Sequence, residues 1–498
     1  MALTTLKESS PESAANTWSL LKLLAGPAAF ALIYILPIPI SYEGRISLAT
    51  FVCAILWWVT RPMPWAVAAM LPLLVFPAAG VMSISATAQL YGHPIFFWIM
   101  GTVLIGYAID KHGVAHRVAL AFLSLPGIGG KTRRLTFAYM LVTGLISMFV
   151  SDAATIAMMI PIGMSMVQHI RTIVGAVPGG RTNFGTFMTL GTFYAAVAGG
   201  TATVVGVPHN AIAVSMLERL TGRDLGFFEW MTVGVPVFIA LLLTFYAVLW
   251  VMAPPEILEV PGGQAFLIAE RAKLGPMRPN ERRVLFVFSA MVALFTLPTL
   301  VALGLGSGHS LVTWLDRALP IWVVPPAVMF LLFTVPTSGG SSGTLLSWQD
   351  AEKHTPWSTI ILVLGAVAMT EAITKFGFVD FMGGIVQGLG LGPTALPYVA
   401  ATFVALTTDF ISGIAATTLY CSIFIPAAVQ IGYNPASVAI LIANVALGLV
   451  FPWAGAAAAT TFSVGDVEMG RMIRIGIVAT AVFVGITATI HLMLAPFI

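Results

Sequence analysis

Apolar runs near twenty residues recur along the whole chain, parted by short polar or basic joints. A run of that length crosses a hydrocarbon core of about 30 Å. The pattern predicts spans at about 21–40, 45–60, 63–80 and 94–110. A short amphipathic stretch at 112–125 follows and ends in Lys131, Arg133 and Arg134. Residues 135–171 come next. They are too long for one simple span, and the apolar pattern breaks in their middle at Ser147, Ser151 and Asp152. Arg133 and Arg134 stand before this segment and Arg171 stands after it, with no Lys or Arg between. Basic ends face the cytoplasm, so the segment enters and leaves on one side. That predicts a re-entrant hairpin, 135–171, with its tip at Ser151–Ala153. Non-helical backbone at that depth needs protein or a water-filled cavity around it.

Residues 184–215 read as a span broken at Ala198–Thr201 and again at Gly206–Asn210, and 230–253 as an uninterrupted one. Residues 254–283 are the one long polar stretch and read as a cytoplasmic linker with Arg271, Lys273, Arg278, Arg282 and Arg283. Spans follow at about 284–305, 318–336 and 357–376. A second interrupted hairpin, 393–430, carries Asp409. A span at 436–462 is broken at Phe451–Gly455, and a last one runs to Ile498. With residues 1–20 as a cytoplasmic tail, Lys7, Lys22, Arg61, Lys111, Arg133, Arg171, the linker, Arg471 and Arg474 all fall inside. Arg45, Arg219, Arg223 and Arg317 fall outside, as does the C-terminus. The expected fold is an all-α polytopic membrane protein of about eleven transmembrane helices.

The pattern also repeats. Gly101–Gly113 and Gly365–Gly377 frame similar apolar stretches 264 residues apart (365 − 101), and Pro161 and Pro426 lie 265 apart (426 − 161). Each half, 21–253 and 284–498, then reads as span, acid-bearing hairpin and broken span. An odd number of crossings separates the halves, so they are expected to be inverted. Paired discontinuous helices in inverted repeats mark secondary transporters, with the site at the midplane between the halves.

Composition narrows the class further. The chain is 58% hydrophobic and 9% charged, against about 25% charged in soluble domains. A soluble enzyme domain is therefore not expected. A net charge of +3 is too small and dispersed for a nucleic-acid partner, and Cys53 and Cys421 both lie in apolar runs, which argues against disulfides. The N-terminus lacks the features of a cleaved signal peptide. No Walker-type phosphate loop and no His/Cys metal cluster is found. What remains is Asp152, a carboxylate near the centre of a long apolar segment. Its insertion costs roughly 2.5–3.5 kcal/mol, and such residues mark substrate paths, ion sites or proton relays. Broken helices aim free N–H groups at an anion, while their carbonyls, hydroxyls and carboxylates suit a small hard cation. Both sets occur at Ser151–Ala153 and near Ser412–Thr418.

Three stretches carry a resemblance. Ser147–Ile162 has the tip Ser151-Asp152-Ala153, then Ala154-Thr155 and Met158-Met159-Ile160-Pro161. It resembles the first hairpin of the divalent anion:sodium symporter family, where the tip reads Ser-Asn-Thr. Thr203–Ile212 is similar to that family's Gly-Thr-x-Ile-Gly-Thr-Pro-Pro-Asn-Ala-Ile loop, with His209 in place of a Pro. Trp348, Ala351-Glu352-Lys353 and Trp357 are similar to its Trp…Ala-Glu-Lys…Trp stretch. The resemblance implies a homodimer in a bacterial inner membrane, with a scaffold and a transport domain. It implies elevator-type import of a dianion such as succinate, malate, fumarate, tartrate or sulfate. In such proteins both tips bind carboxylate, and each helps to form a sodium site.

Carried onto this chain, the substrate set is Ser151, Asp152, Ala153, Pro208, Asn210, Ser412, Gly413, Thr417 and Thr418. The cation set is Ser147, Ser151, Asp152, Gly199, Gly200 and Thr417, with Na⁺ or H⁺ as coupling ion and no other metal or cofactor. The chain departs from the pattern at Asp152 and Ala153. The second tip fits either Ser412-Gly413-Ile414 or Ala416-Thr417-Thr418, and Gly455–Thr460 lacks the family's Thr-Pro-Pro-Asn. Uncoupled dianion exchange and an inorganic-anion permease therefore stay open. An intramembrane enzyme built on Asp152 and Asp409 has no further catalytic signature to support it. Asp409 reads as a cap of the second arm, and His209 as a hydrogen-bonded packing residue.

Overall fold

The computed structural model describes residues 11–175, 180–306, 308–338, 343–377, 381, 384, 388 and 390–498. The tail expected at 1–20 lies outside them up to residue 10; a helix, Pro11–Ile35, starts at residue 11. The described residues form helices and loops, with two isolated bridges in place of a sheet. Among the described residues, seven helices are long and apolar enough to cross a membrane, including Phe227–Met252, Pro279–Leu305 and the Met469–Phe497 stretch. Shorter apolar helices such as Trp65–Ala78 and Val324–Thr334 accompany them. This is an all-α, multi-pass membrane fold.

The chain divides into two compact units, one of residues 1–93 and 357–388, the other of 94–356 and 389–498. In the first, the Trp357–Lys375 helix crosses the first-half helices at Gly365. A methyl there would lie 2.1 Å from the Ala69 carbonyl oxygen, so only glycine permits the crossing. In the second, the Ile95–Lys111 helix crosses Val324–Thr334 at Gly101 in the same way, 2.5 Å from the Pro325 oxygen. The two glycines that frame the sequence repeat thus do the same steric job.

Within the second unit one series of elements occurs twice. The first hairpin has arms Thr132–Ser147 and Asp152–Val174, and the first broken helix has halves Asn183–Gly200 and Pro208–Thr221. The second hairpin has arms Leu396–Thr408 and Gly413–Gln430, and the second broken helix has halves Pro435–Val445 and Ala456–Ser463. A long helix closes each series, Phe227–Met252 and Met469–Leu494.

The first hairpin packs round the buried half Asn183–Gly200. Tyr139, fully buried, donates to the Met159 carbonyl at 2.9 Å and shares a 2.7 Å hydrogen bond with Thr192 Oγ1. Tyr139 and Met159 stand in an apolar cluster with Leu135, Ile162, Met166 and Phe184.

The polar stretch 254–283 is more ordered than a linker. It contains a helix, Gly263–Lys273, that buries Leu267. Its chain is pinned to the first hairpin's approach by Gln264, which accepts from Gly129 N–H and donates to the Ser124 carbonyl at 2.9 Å each. Thr132 Oγ1 donates to the Ile257 carbonyl at 2.7 Å. The charge density of this stretch hides the few apolar positions that dock it.

Candidate functional site: two hairpin tips and two helix breaks

The first tip is residues 148–151. Ser147 ends one arm, and Ser151, in an extended conformation, starts the next without a side-chain cap. The Ser151 side chain therefore satisfies none of the first-turn amides of Asp152–Val174. Asp152 Oδ1 accepts from its neighbour Ala153 N–H at 2.7 Å, and no ion-pair partner for it exists among the described residues. Ser151, Asp152 and Ala153 are half-buried, between a buried Val150 and a buried Thr155.

The adjoining break, 201–207, is held to this tip by named bonds. Thr203 Oγ1 donates to the Met148 carbonyl. Asn210 Nδ2 donates to the Gly200 carbonyl at 2.8 Å and the Thr203 carbonyl at 2.9 Å. These carbonyls lost their helical partners when the helix stopped, so Asn210 satisfies them where lipid or a dry interior cannot. Pro208 starts the second half at a position that suits its fixed φ and missing N–H. Gly199 lies where a methyl would be 2.2 Å from the Gly144 carbonyl oxygen, and Gly200 where one would meet Val207 at 2.9 Å. Gly199 thus serves close backbone approach, while Gly200 leaves room for the Val207 side chain.

The second tip is residues 409–412. Ser412 is the cap, and its Oγ accepts from Ala415 N–H at 3.2 Å. Ser412, Gly413 and Ile414 are half-buried, whereas Thr417 and Thr418 are fully buried one turn further on. Thr418 Oγ1 donates to the Ile414 carbonyl at 2.9 Å. Gly413 packs on the second break, 446–455, where a methyl would lie 2.5 Å from the Ala446 oxygen. The acid of this hairpin does not cap the second arm. Asp409 Oδ1 accepts from Val450 N–H at 2.9 Å, with the Leu449 and Phe451 amides alongside. It also borders a separate apolar cavity of about 470 Å³ with Leu406, Phe410 and Phe451. Asp152 and Asp409 therefore have different surroundings.

His209 joins the two series. Its buried ring lies 3.3 Å from where a Cβ on Gly413 would stand, and its neighbour Asn210 bonds the first break. One turn of helix thus carries the first break, and through Thr203 the first tip, to the second tip. Four buried oxygens beside these elements have no hydrogen-bond partner among the described residues: Ser147 Oγ, Asn210 Oδ1, Thr417 Oγ1 and Asn444 Oδ1. An unmet buried polar group costs about 1–3 kcal/mol. Neutral oxygens of this kind are the donors a hard cation takes.

Three participants carried a weaker sequence signal. Gly144 is an ordinary glycine in an apolar run until it meets Gly199. Thr203 stands in the Thr203–Ile212 loop motif without an assigned role, and Asn444 is legible only as a polar residue near a break. Asn444 Nδ2 lies 3.4 Å from His491 Nε2, and the other ring nitrogen of His491 lies 3.2 Å from Ser437 Oγ.

Comparison with known proteins gives this arrangement a context. Residues 15–496 match the family described as the sodium:sulfate symporter transmembrane region. The chain is 27% identical over 480 residues to the sodium-dependent dicarboxylate transporter SdcS of Staphylococcus saprophyticus, covering 93% of this chain and 88% of that one. It is 26% identical over 451 residues to SdcS of a bovine strain of Staphylococcus aureus, covering 87% and 82%. Two solved structures share the fold at 13% identity. One is the YdaH transporter of Alcanivorax borkumensis, with a TM-score of 0.53 and 98% of this chain covered against 99% of that one. The other is MtrF of Neisseria gonorrhoeae, with a TM-score of 0.55 and coverage of 98% and 96%. With the family match extending over nearly its whole length, this chain belongs to the sodium:sulfate symporter family and is a multi-pass membrane transporter, not an enzyme.

Proposed function

We propose that this protein is a secondary transporter that carries a divalent organic anion of the C4-dicarboxylate class together with Na⁺, by an elevator-type movement. The observation that carries the reading is the pair of half-buried tips whose returning arms begin at Ser151 and Ser412, linked through His209 and Asn210. Each helix start presents roughly half a positive charge. Two starts facing one dianion supply the complementary field. Ser151, Asp152, Ala153, Pro208, Asn210, Ser412, Gly413, Thr417 and Thr418 form the substrate set in this reading. Ser147, Ser151, Asp152, Thr417 and the backbone at Gly199 and Gly200 form the cation set. The unmet oxygens of Ser147 and Thr417 support that assignment. The sodium-dependent dicarboxylate relatives support the substrate class and the coupling ion. A homodimer in the inner membrane, with its N-terminus in the cytoplasm, completes the reading.

Asp152 supports a second version in which the coupling ion is H⁺. Its carboxylate lacks a cationic partner among the described residues, so a proton and a Na⁺ are alternative ways to neutralise it. Uptake of labelled succinate into proteoliposomes, with Na⁺ and pH gradients imposed separately, decides between them. A Na⁺ gradient alone is expected to drive accumulation. Uptake that responds to neither gradient removes ion-coupled transport.

A further inference from the structure

Away from the tips, a cavity of about 490 Å³ opens where the Ile95–Lys111 helix ends, the Val114–Leu123 helix begins, and the 263–279 segment folds back. Its wall includes Lys111, His116, Arg117, Lys273 and Arg278, with Glu281 the carboxylate among its lining residues. The volume is that of a small-molecule pocket, about 300–1,000 Å³.

Arg117 builds the wall. Its guanidinium bonds Glu281 at 2.6 Å and 3.2 Å and the carbonyls of Leu274, Gly275 and Pro276, so its donors are committed. Lys111 pairs with Asp350 at 2.7 Å, and the exposed Lys273 pairs with Glu270. The Arg278 guanidinium has no hydrogen bond among the described residues. Lys111, Arg117, Lys273 and Arg278 line the cavity with Glu281, and the partners Asp350 and Glu270 bring the acids to three. Four cations against three acids leave the cavity net positive, with the uncompensated charge at Arg278. Gly113, with φ of 75°, starts the Val114–Leu123 helix on the same wall without a side-chain cap, so first-turn amides add to that field.

We propose that this cavity is a second anion site, separate from the transport site, that takes a phosphate-bearing ligand. A lipid headgroup and a soluble phosphate compound share the required chemistry: two or more anionic oxygens for Arg278 and Lys273, and one for the free amides after Gly113. Occupancy would add to the tie that Arg117 makes between the 263–279 segment and the Val114–Leu123 helix, because the ligand would bridge side chains of the first and backbone amides of the second.

The test is thermal stability of the full-length transporter, wild type beside the double variant Lys273→Gln/Arg278→Gln. Both side chains are exposed and far in sequence from the tips, and the pure phosphatidylcholine baseline of each protein reports its fold. One arm compares phosphatidylcholine vesicles with vesicles that also hold phosphatidylglycerol. The other adds inorganic pyrophosphate to protein in phosphatidylcholine. Stabilisation in the first arm identifies a headgroup, and in the second a soluble ligand. In either case the double variant is expected to bind about tenfold more weakly, and the wild-type effect to fade with salt. No stabilisation in either arm, or equal stabilisation of both proteins, overturns the proposal.

Discussion

The two hairpins share a frame and differ in where they place a carboxylate. In the first, Asp152 follows the start of the returning arm, is half-buried, and engages only its own neighbour's amide. In the second, Asp409 precedes the cap by three residues and holds the Val450 amide of the break in its own series. One acid has no bond beyond its neighbour's amide among the described residues, while the other is committed to the frame. The second tip is instead lined by Ser412 and a glycine backbone. The lesson is that a repeat conserves backbone function, meaning turn, cap and close approach, while charge is free to be placed differently in each half.

The largest effects should come from what the halves share. Gly199→Ala puts a methyl 2.2 Å from the Gly144 oxygen, with backbone on both sides unable to yield. A loss of roughly 3 kcal/mol or more is expected from overpacking, read as a lower melting temperature and poor recovery of folded protein. Gly413→Ala meets the Ala446 oxygen at 2.5 Å but sits in a half-buried turn, so it should cost less. If Gly199→Ala melts like wild type, the hairpins are not held by glycine contacts and the comparison loses its shared term.

Next comes the term that differs. Asp152→Asn keeps an oxygen for the Ala153 amide, so folding should be nearly unchanged. Transport should not be. If Asp152 is a Na⁺ ligand, replacing a charged ligand by a neutral one should raise the Na⁺ concentration for half-maximal uptake about tenfold, equivalent to ~1.4 kcal/mol. If it carries the coupling proton, pH-driven uptake should vanish while substrate binding remains. Unaltered coupling in this variant would mean the first-tip acid is structural, like Asp409.

Whether a feature is legible in the sequence depends on the range of the interaction that creates it. The first hairpin was legible because Ser147, Ser151 and Asp152 interrupt an otherwise apolar run. The repeat was legible through Gly101 and Gly365, whose shared steric role keeps their spacing. The register of the second tip was not legible. Ser412, Thr417 and Thr418 are all small and polar, and only the backbone shows that Ser412 caps while the threonines lie a turn inside. Asp409 was misread as a local cap because its partner, Val450, is 41 residues away. The helix at Gly263–Lys273 was missed because its apolar positions are few among charges.

Asp409→Ala should be a stability variant first. It leaves the buried Val450 amide without its acceptor, a loss of about 1–3 kcal/mol. Asp409→Asn, which keeps an acceptor oxygen, should recover most of that, and both should retain the ion dependence of wild-type transport. A change of coupling ion in Asp409→Asn would give the second acid a role equal to the first and erase the contrast.

The smallest effect tests the same contrast at the ends of two candidate spans. Lys111 and Lys375 are repeat equivalents, 264 residues apart (375 − 111). Lys111 is held by a carboxylate, Asp350, at 2.7 Å, whereas Lys375 lies over the Phe376 ring at 5.6 Å. Burial works to raise the Asp350 pKa, but the hydrogen bonds from Lys111 and Ser347 outweigh it and hold the group below the ordinary carboxylate range. A carboxylate with a depressed folded pKa contributes stability at all pH above its unfolded value, about 3.9. That contribution is lost as pH falls further, toward the folded value. Lys111 is a third exposed, so the pair should be worth no more than about 1 kcal/mol. In melts followed from neutral pH into acid, the stability difference between wild type and Asp350→Asn should stay constant down to about pH 4 and then shrink. Phe376→Leu, which removes the ring from under Lys375, should differ from wild type by an amount that does not change over that interval. Parallel pH behaviour of the two variants would show that the halves anchor these lysines alike.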